Sequence, residues 1–192
     1  ASLQRLLNQV AGRFGLIVVL VAALGVLAAP FIAMIFAPGF ANDPEKLALT
    51  ADLLRWTFPY LALISLVAFS GGILNSIGKF AVPAATPIFL NISLIGSAVL
   101  LSPLLSPSVL GLAIGVLVAG IIQLLIQLPP LFSAGLLPIP SLQSDHPGVA
   151  KILRLMVPAL FGVSVSQINL LLDTVLASFL VSGSVSWLYY SD

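Results

Sequence analysis

Apolar residues along this chain come in long uninterrupted runs, not in alternation. The runs lie at about 14–36, 50–76, 82–102, 108–132 and 149–181. Each reaches or exceeds the ~20 mostly apolar residues that a membrane-crossing helix needs. Between them fall clusters of turn-forming residues: APGFANDPEK at 37–46, NSIGKF at 75–80, SPLLSPS at 102–108 and AGLLPIPSLQSDHPG at 134–148. The pattern predicts five complete helices and the start of a sixth near Ser184. The fifth is long for one crossing, so its first turn or two should project from the membrane. Membrane-barrel strands would alternate in polarity over about 10 residues, and these runs are longer and uniformly apolar. The longest and most proline-rich break, 134–148, is predicted to separate two helical bundles.

Composition names the solvent. The chain is 60% hydrophobic and 7% charged over 192 residues, with a mean hydropathy of +1.20. Soluble domains carry about 25% charged residues. A chain this apolar needs a bilayer, and the fold class expected is an all-α polytopic membrane bundle. The first run is longer than the core of a signal peptide and is followed by similar ones, so it reads as a spanning helix. A net charge of +1 without a basic patch gives no reason to expect nucleic acid. The absence of cysteine excludes disulfides, thiolate metal sites and cysteine nucleophiles. Both ends read as cut: the chain opens on the amphipathic SLQRLLNQVAGR and stops just after WLYY.

Lys and Arg set the orientation. With the N-terminus inside, Arg5, Arg13, Lys79, Lys151 and Arg154 are cytoplasmic, while Lys46 and Arg55 lie outside beside Asp43, Glu45 and Asp52. Trp56 and Trp187 then share the outer interface. The opposite orientation reverses the bias.

Few side chains offer chemistry. Pro59, Pro83, Pro87 and Pro158 fall in or near helical runs. They read equally as tolerated kinks and as bends that let two bundles rock around a cavity. Gly111, Gly115 and Ala119 form a small-residue stripe for close helix packing. His146 has no ligand-spaced partner and reads as a loop histidine. Asn75 and Asn91 are amides in apolar runs, and a hydrogen bond between helices is favoured over substrate contact.

The fifth run is different. Ser166, Asn169 and Asp173 fall within about 60° of one another on a helix, with Gln167, Thr174 and Ser178 beside them. A charged Asp at mid-membrane costs about 2.5–3.5 kcal/mol on insertion scales. Asp173 should therefore face water, a bound cation or other polar helices. A protonated Asp173 in a structural hydrogen-bond network is the alternative. No second buried carboxylate, paired histidine or phosphate-cradling glycine loop accompanies it, so transport fits and enzyme chemistry does not.

Several stretches carry a resemblance. They are APGF at 37–40, FPYLALISLVAFSGGILNSIGKFAVPAATPIFLNIS at 58–93, QLP at 127–129, GVSVSQI at 162–168 and GSVSWLYYSD at 183–192. Together they resemble the MurJ (MviN) family of bacterial lipid II flippases, in the multidrug/oligosaccharidyl-lipid/polysaccharide exporter superfamily. The resemblance implies a two-lobe exporter of which this chain is an internal fragment. Residues 1–133 would be family helices three to six, 134–148 the cytoplasmic inter-lobe linker, and 149–192 helix seven with the beginning of eight. It implies a multi-pass protein of the bacterial cytoplasmic (inner) membrane. Its partners would be membrane lipids and lipid II, the undecaprenyl-pyrophosphate-linked peptidoglycan precursor, and no further cell-wall synthesis protein is specified. The family arginines that hold the pyrophosphate have no counterpart here; Asp192 alone carries over as a substrate-site residue. Asp173 matches a position implicated in sodium binding in some members, with Asn169 and Thr174 as candidate neighbours. No cofactor is implied beyond sodium as a coupling ion. Two rivals are an exporter of drugs or another polyprenyl-linked sugar, and a structural membrane protein that transports nothing.

Overall fold

A computed structural model describes residues 2–40, 42–143 and 146–180, with the backbone alone at 2, 153, 159–163, 165, 166 and 169. Every regular element among these residues is helical: α1 (Ser2–Phe36), α2 (Pro44–Ser76), α3 (Ala81–Leu100), α4 (Leu110–Leu125), α5 (Leu128–Ser133) and α6 (Pro147–Ala177). Single 3₁₀ turns occupy Pro38–Phe40 and Ser102–Leu104. Among the described residues, four helices are long and apolar enough to cross a membrane: Leu3–Phe36, Pro44–Ser76, Ala81–Leu104 and Leu110–Ser133. The fifth expected span is helical over Pro147–Ala177, and the sixth, from Ser184, lies outside the described residues.

Three boundaries differ from the sequence pattern. α1 starts twelve residues before the expected 14, because Leu3, Leu6, Leu7, Val10 and Ala11 keep the i, i+3, i+4 spacing into the apolar run. Its 35 residues span about 52 Å at 1.5 Å per residue, well beyond a ~30 Å hydrocarbon core. α2 starts at Pro44 and not near 50, because Asp43 caps it. The Asp43 Oδ1 accepts the Lys46 N–H at 3.1 Å, and proline suits the first helical position. The expected 108–132 helix is interrupted at Ile126–Gln127. Pro129 and Pro130 bring no N–H to the preceding turn, so the chain restarts as α5.

The chain divides into two compact units. The first comprises Ala1–Val26 and Arg55–His146. Its innermost cluster is Ile73, Leu74 and Leu131, surrounded by Leu7, Phe69, Leu136 and Leu137. Gly111 and Gly115 lie so close to Ser102 and Ser97 that an added methyl would overlap the serine hydroxyls, which bears out the packing stripe on α4. Two glycines end helices in the left-handed region, Gly78 at φ 77° and Gly135 at φ 65°. In each case two backbone bonds close the end: Lys79 N–H to Leu74 O with Gly78 N–H to Asn75 O, and Leu136 N–H to Leu131 O with Gly135 N–H to Phe132 O. Lys79 Nζ reaches Ser133 Oγ at 3.2 Å and Pro130 O at 3.4 Å, a cation on the C-terminal end of α5. Within α3, Pro87 has no N–H for Pro83 O, and the Thr86 hydroxyl donates to that carbonyl at 2.8 Å instead.

The segment after α5 is pinned along the first turns of α1. Gln4 Nε2 donates to Leu137 O at 2.7 Å, Asn8 Oδ1 accepts the Ile139 N–H at 2.9 Å, and Ser141 N–H donates to Asn8 O at 2.9 Å. Gln9 Oε1 accepts the His146 N–H at 3.1 Å. Gly12 lies directly beneath the Ser141 backbone, where a side chain would not fit. The proline-rich break is thus a strap, and the polar face of the opening amphipathic stretch is what holds it.

The second unit comprises Leu27–Leu54 and Pro147–Asp192. Ala29 and Ala33 are fully buried and Ala37 nearly so, a small-residue face at four-residue spacing on the end of α1 and the turn after it.

Candidate functional site

α6 carries the candidate ion-binding residues. Asp173 is exposed. Thr174, next along the helix, is half-buried and its hydroxyl donates to Leu170 O at 2.9 Å. One turn on, Ser178 is buried; its Oγ donates to Val175 O at 2.6 Å and accepts the Gly39 N–H at 3.2 Å. This bond fixes the end of α6 to the turn that follows α1. A hydroxyl bonding back to its own helix is the usual way a transmembrane helix satisfies Ser and Thr.

Thr174 and Ser178 line a cavity of about 250 Å³ with Ala33, Ala37, Thr50 and Leu54, all within the second unit. Asp173 is not among its walls. The structure therefore brings Thr174 together with Ser178 and Thr50, while Asp173 points elsewhere on the helix. The side chain of Asn169 and the whole of Asp192 lie outside what is described. Among the described residues no three His, Cys, Asp or Glu side chains gather as a metal group.

Other sequence candidates resolve more simply. Among the described residues Asn91 is exposed on α3 beside the stripe Ile88, Ile92 and Ile95 and makes no side-chain hydrogen bond, where a bond between helices was expected. The expectation assumed that apolar neighbours in sequence mean burial; on α3 they face outward. His146 serves through its backbone, in the strap. Outside α6, Asp43 is held below its ordinary 3.8, chiefly by the Lys46 N–H and then by the Lys46 ammonium, 3.1 Å away.

Among the buried polar residues that the sequence reading passed over are three glutamines. Gln9, Gln123 and Gln127 are each at most 2% exposed. For Gln123 and Gln127 the signal was available: amides inside an apolar run with no neighbouring charge, the same signal read for Asn91. Among the described residues, nothing donates to the buried Oε1 atoms of Gln123 and Gln127.

The family described as "Lipid II flippase MurJ" matches residues 2–192. A probable lipid II flippase MurJ of Vibrio cholerae is 50% identical over 97% of this chain and 37% of that protein. One of Haemophilus influenzae is 47% identical over 97% of this chain and 38% of its own length. One of Buchnera aphidicola from Acyrthosiphon pisum is 42% identical over 100% of this chain and 37% of its own. The chain spans a little over a third of the length of these relatives. With every regular element among the described residues helical, four of these helices long and apolar enough to cross a membrane, and a family match from its second residue to its last, the chain belongs to the MurJ family of lipid II flippases.

Proposed function

We propose that the protein carrying this chain moves lipid II from the inner to the outer leaflet of the bacterial cytoplasmic membrane by alternating access. The observation that supports this most is the family match across residues 2–192. The physical task suits the chain: a polar pyrophosphate-sugar head group must cross ~30 Å of hydrocarbon, and a hydrated cavity between two helical lobes removes most of that barrier. The activity is transport, with no covalent step for these residues to catalyse.

In this reading, 1–133 completes a first lobe, 134–148 links the lobes, and 149–192 begins the second. Asp192 belongs to the substrate site and Asp173 to a sodium site. The exposure of Asp173 supports an outward-facing ligand role, and Thr174, whose hydroxyl donates its hydrogen to Leu170 O and keeps its oxygen lone pairs, stays a candidate neighbour. A monovalent cation offsets the cost of a carboxylate in the membrane. It biases the transport cycle only if the two access states bind it differently. Translocation of lipid II by the intact protein in liposomes, above an empty-liposome control, is the test, and no excess over that control would overturn the proposal.

A further inference from the structure

Within the second unit, the turn after α1 meets the end of α6 at very close range. Gly39 donates its N–H to Ser178 Oγ at 3.2 Å. A methyl on Gly39 would overlap the Ser178 carbonyl and come within 2.8 Å of the Phe179 nitrogen. Backbone therefore lies against backbone, an approach that needs a glycine. The flanking residues are small as well: Ala33 and Ala37 on one side, Ala177 and Ser178 on the other, all buried.

Close as it is, this contact is built to part. The cavity of about 250 Å³ adjoins it, with Ala33, Ala37 and Ser178 in its walls, so the junction is not filled as a settled interior is. The Thr50 and Thr174 hydroxyls on the same walls donate to Lys46 O at 2.8 Å and Leu170 O at 2.9 Å, each within its own helix. Ser178 itself donates to Val175 O at 2.6 Å, a bond that does not depend on Gly39. Separation thus releases one group from this bond, the Gly39 N–H. Gly39 is half-buried, so water can take over that donor.

We propose that Gly39 and Ser178 form a releasable latch: bonded, they shut this end of the path between the two lobes, and their separation opens it. The inference rests on the proposed two-lobe reading, in which α1 belongs to the first lobe and α6 opens the second. Alternating access then requires the ends of α1 and α6 to part once in every cycle. A single neutral hydrogen bond between small residues, beside an unfilled cavity, suits a contact that is made and broken repeatedly. The alternative is a fixed structural contact, which opens only when the whole protein unfolds.

The test uses the intact protein in a cysteine-free background, in lipid nanodiscs, carrying either Ala33→Cys or, as a control in the first unit, Ala119→Cys. Both positions are fully buried. The rate of reaction with N-ethylmaleimide reads how often each position opens. Ser178→Ala removes the acceptor without adding bulk. It should quicken the reaction of Ala33→Cys about fivefold, the scale of one hydrogen bond, and leave Ala119→Cys unchanged. Gly39→Ala, whose methyl does not fit, should quicken it further. No change in Ala33→Cys, or equal acceleration of both cysteines, means a fixed contact and overturns the latch. A second arm joins Ala37→Cys to Ser178→Cys, which share the cavity wall, with a short bis-methanethiosulfonate. Bridging should stop lipid II delivery in liposomes, and a reductant should restore it; delivery through the bridged protein overturns the latch. If the unaltered protein moves no lipid II, the flippase reading fails, and the N-ethylmaleimide rates alone decide the latch.

Discussion

In the proposed function, Asp173 is the residue on which ion coupling turns. It is exposed on α6, and the hydroxyl of Thr174 is tied to its own helix. Asp173→Asn keeps shape and polarity while removing charge. The variant should fold normally and reduce the response of transport to a sodium gradient about fivefold or more, the usual scale of a coupling free energy. Transport by the intact protein with and without the gradient checks this, and an unchanged response would make Asp173 a structural residue. Asp43 offers a separate test outside the membrane. Its carboxylate is held below the ordinary 3.8 by the Lys46 N–H and ammonium. The sign follows: the cap contributes in full above 3.8 and is lost as pH falls through that value toward the lower folded one. Relative to an Asp43→Asn variant, hydrogen exchange at the start of α2 should accelerate on acidification below pH 3.8. Residue-level reading of the sequence favoured charges and so found Asp43 and Asp173. It passed over Gln123 and Gln127, although the signal that marked Asn91, an amide in an apolar run, was there too.

At the scale of elements, apolar runs and proline–glycine breaks locate the helices, and the ends shift for local reasons. The α1 start moves because its amphipathic stripe joins the apolar run in phase. The α4–α5 interruption follows from Pro129 and Pro130, which a count of apolar residues ignores. The strap was the least visible feature, because its bonds pair residues more than 130 positions apart. Asn8→Ala removes the acceptor of the Ile139 N–H. Exchange at Ile139 should quicken about 5- to 10-fold, given a net hydrogen-bond value near 1 kcal/mol, and exchange in α3 should not change. Two glycines at the end of α2 make opposite predictions. A methyl would meet no atom within 4 Å at either Gly72 or Gly78, so only backbone conformation differs. Gly78 sits at φ 77°, and Gly78→Ala should destabilise by about 1 kcal/mol. Gly72 is within the helix, and Gly72→Ala should stabilise by up to about 1 kcal/mol. Thermal unfolding of the two variants side by side reads the difference in sign.

For the whole molecule, sidedness and transport are the open physical questions. Lys79, the end of α5 and the strap on Gln4 and Asn8 lie at one end of the first unit. We propose from the Lys and Arg bias that this end is cytoplasmic and that Asn42 is external. In a cysteine-free background, Asn42→Cys should react with an impermeant thiol reagent in intact cells and Gln143→Cys should not. Labelling of Gln143→Cys alone would invert the topology. The all-helical body was readable because a bilayer imposes long apolar runs. The substrate site was not: Asp192, the one residue that the family resemblance offers for it, lies outside the described residues. The flippase assignment stands or falls on lipid II itself. The intact protein, reconstituted in liposomes with lipid II in one leaflet, should deliver the head group to the other leaflet well above empty liposomes. Asp192→Leu should suppress that delivery. Equal appearance of lipid II with and without protein would contradict the assignment.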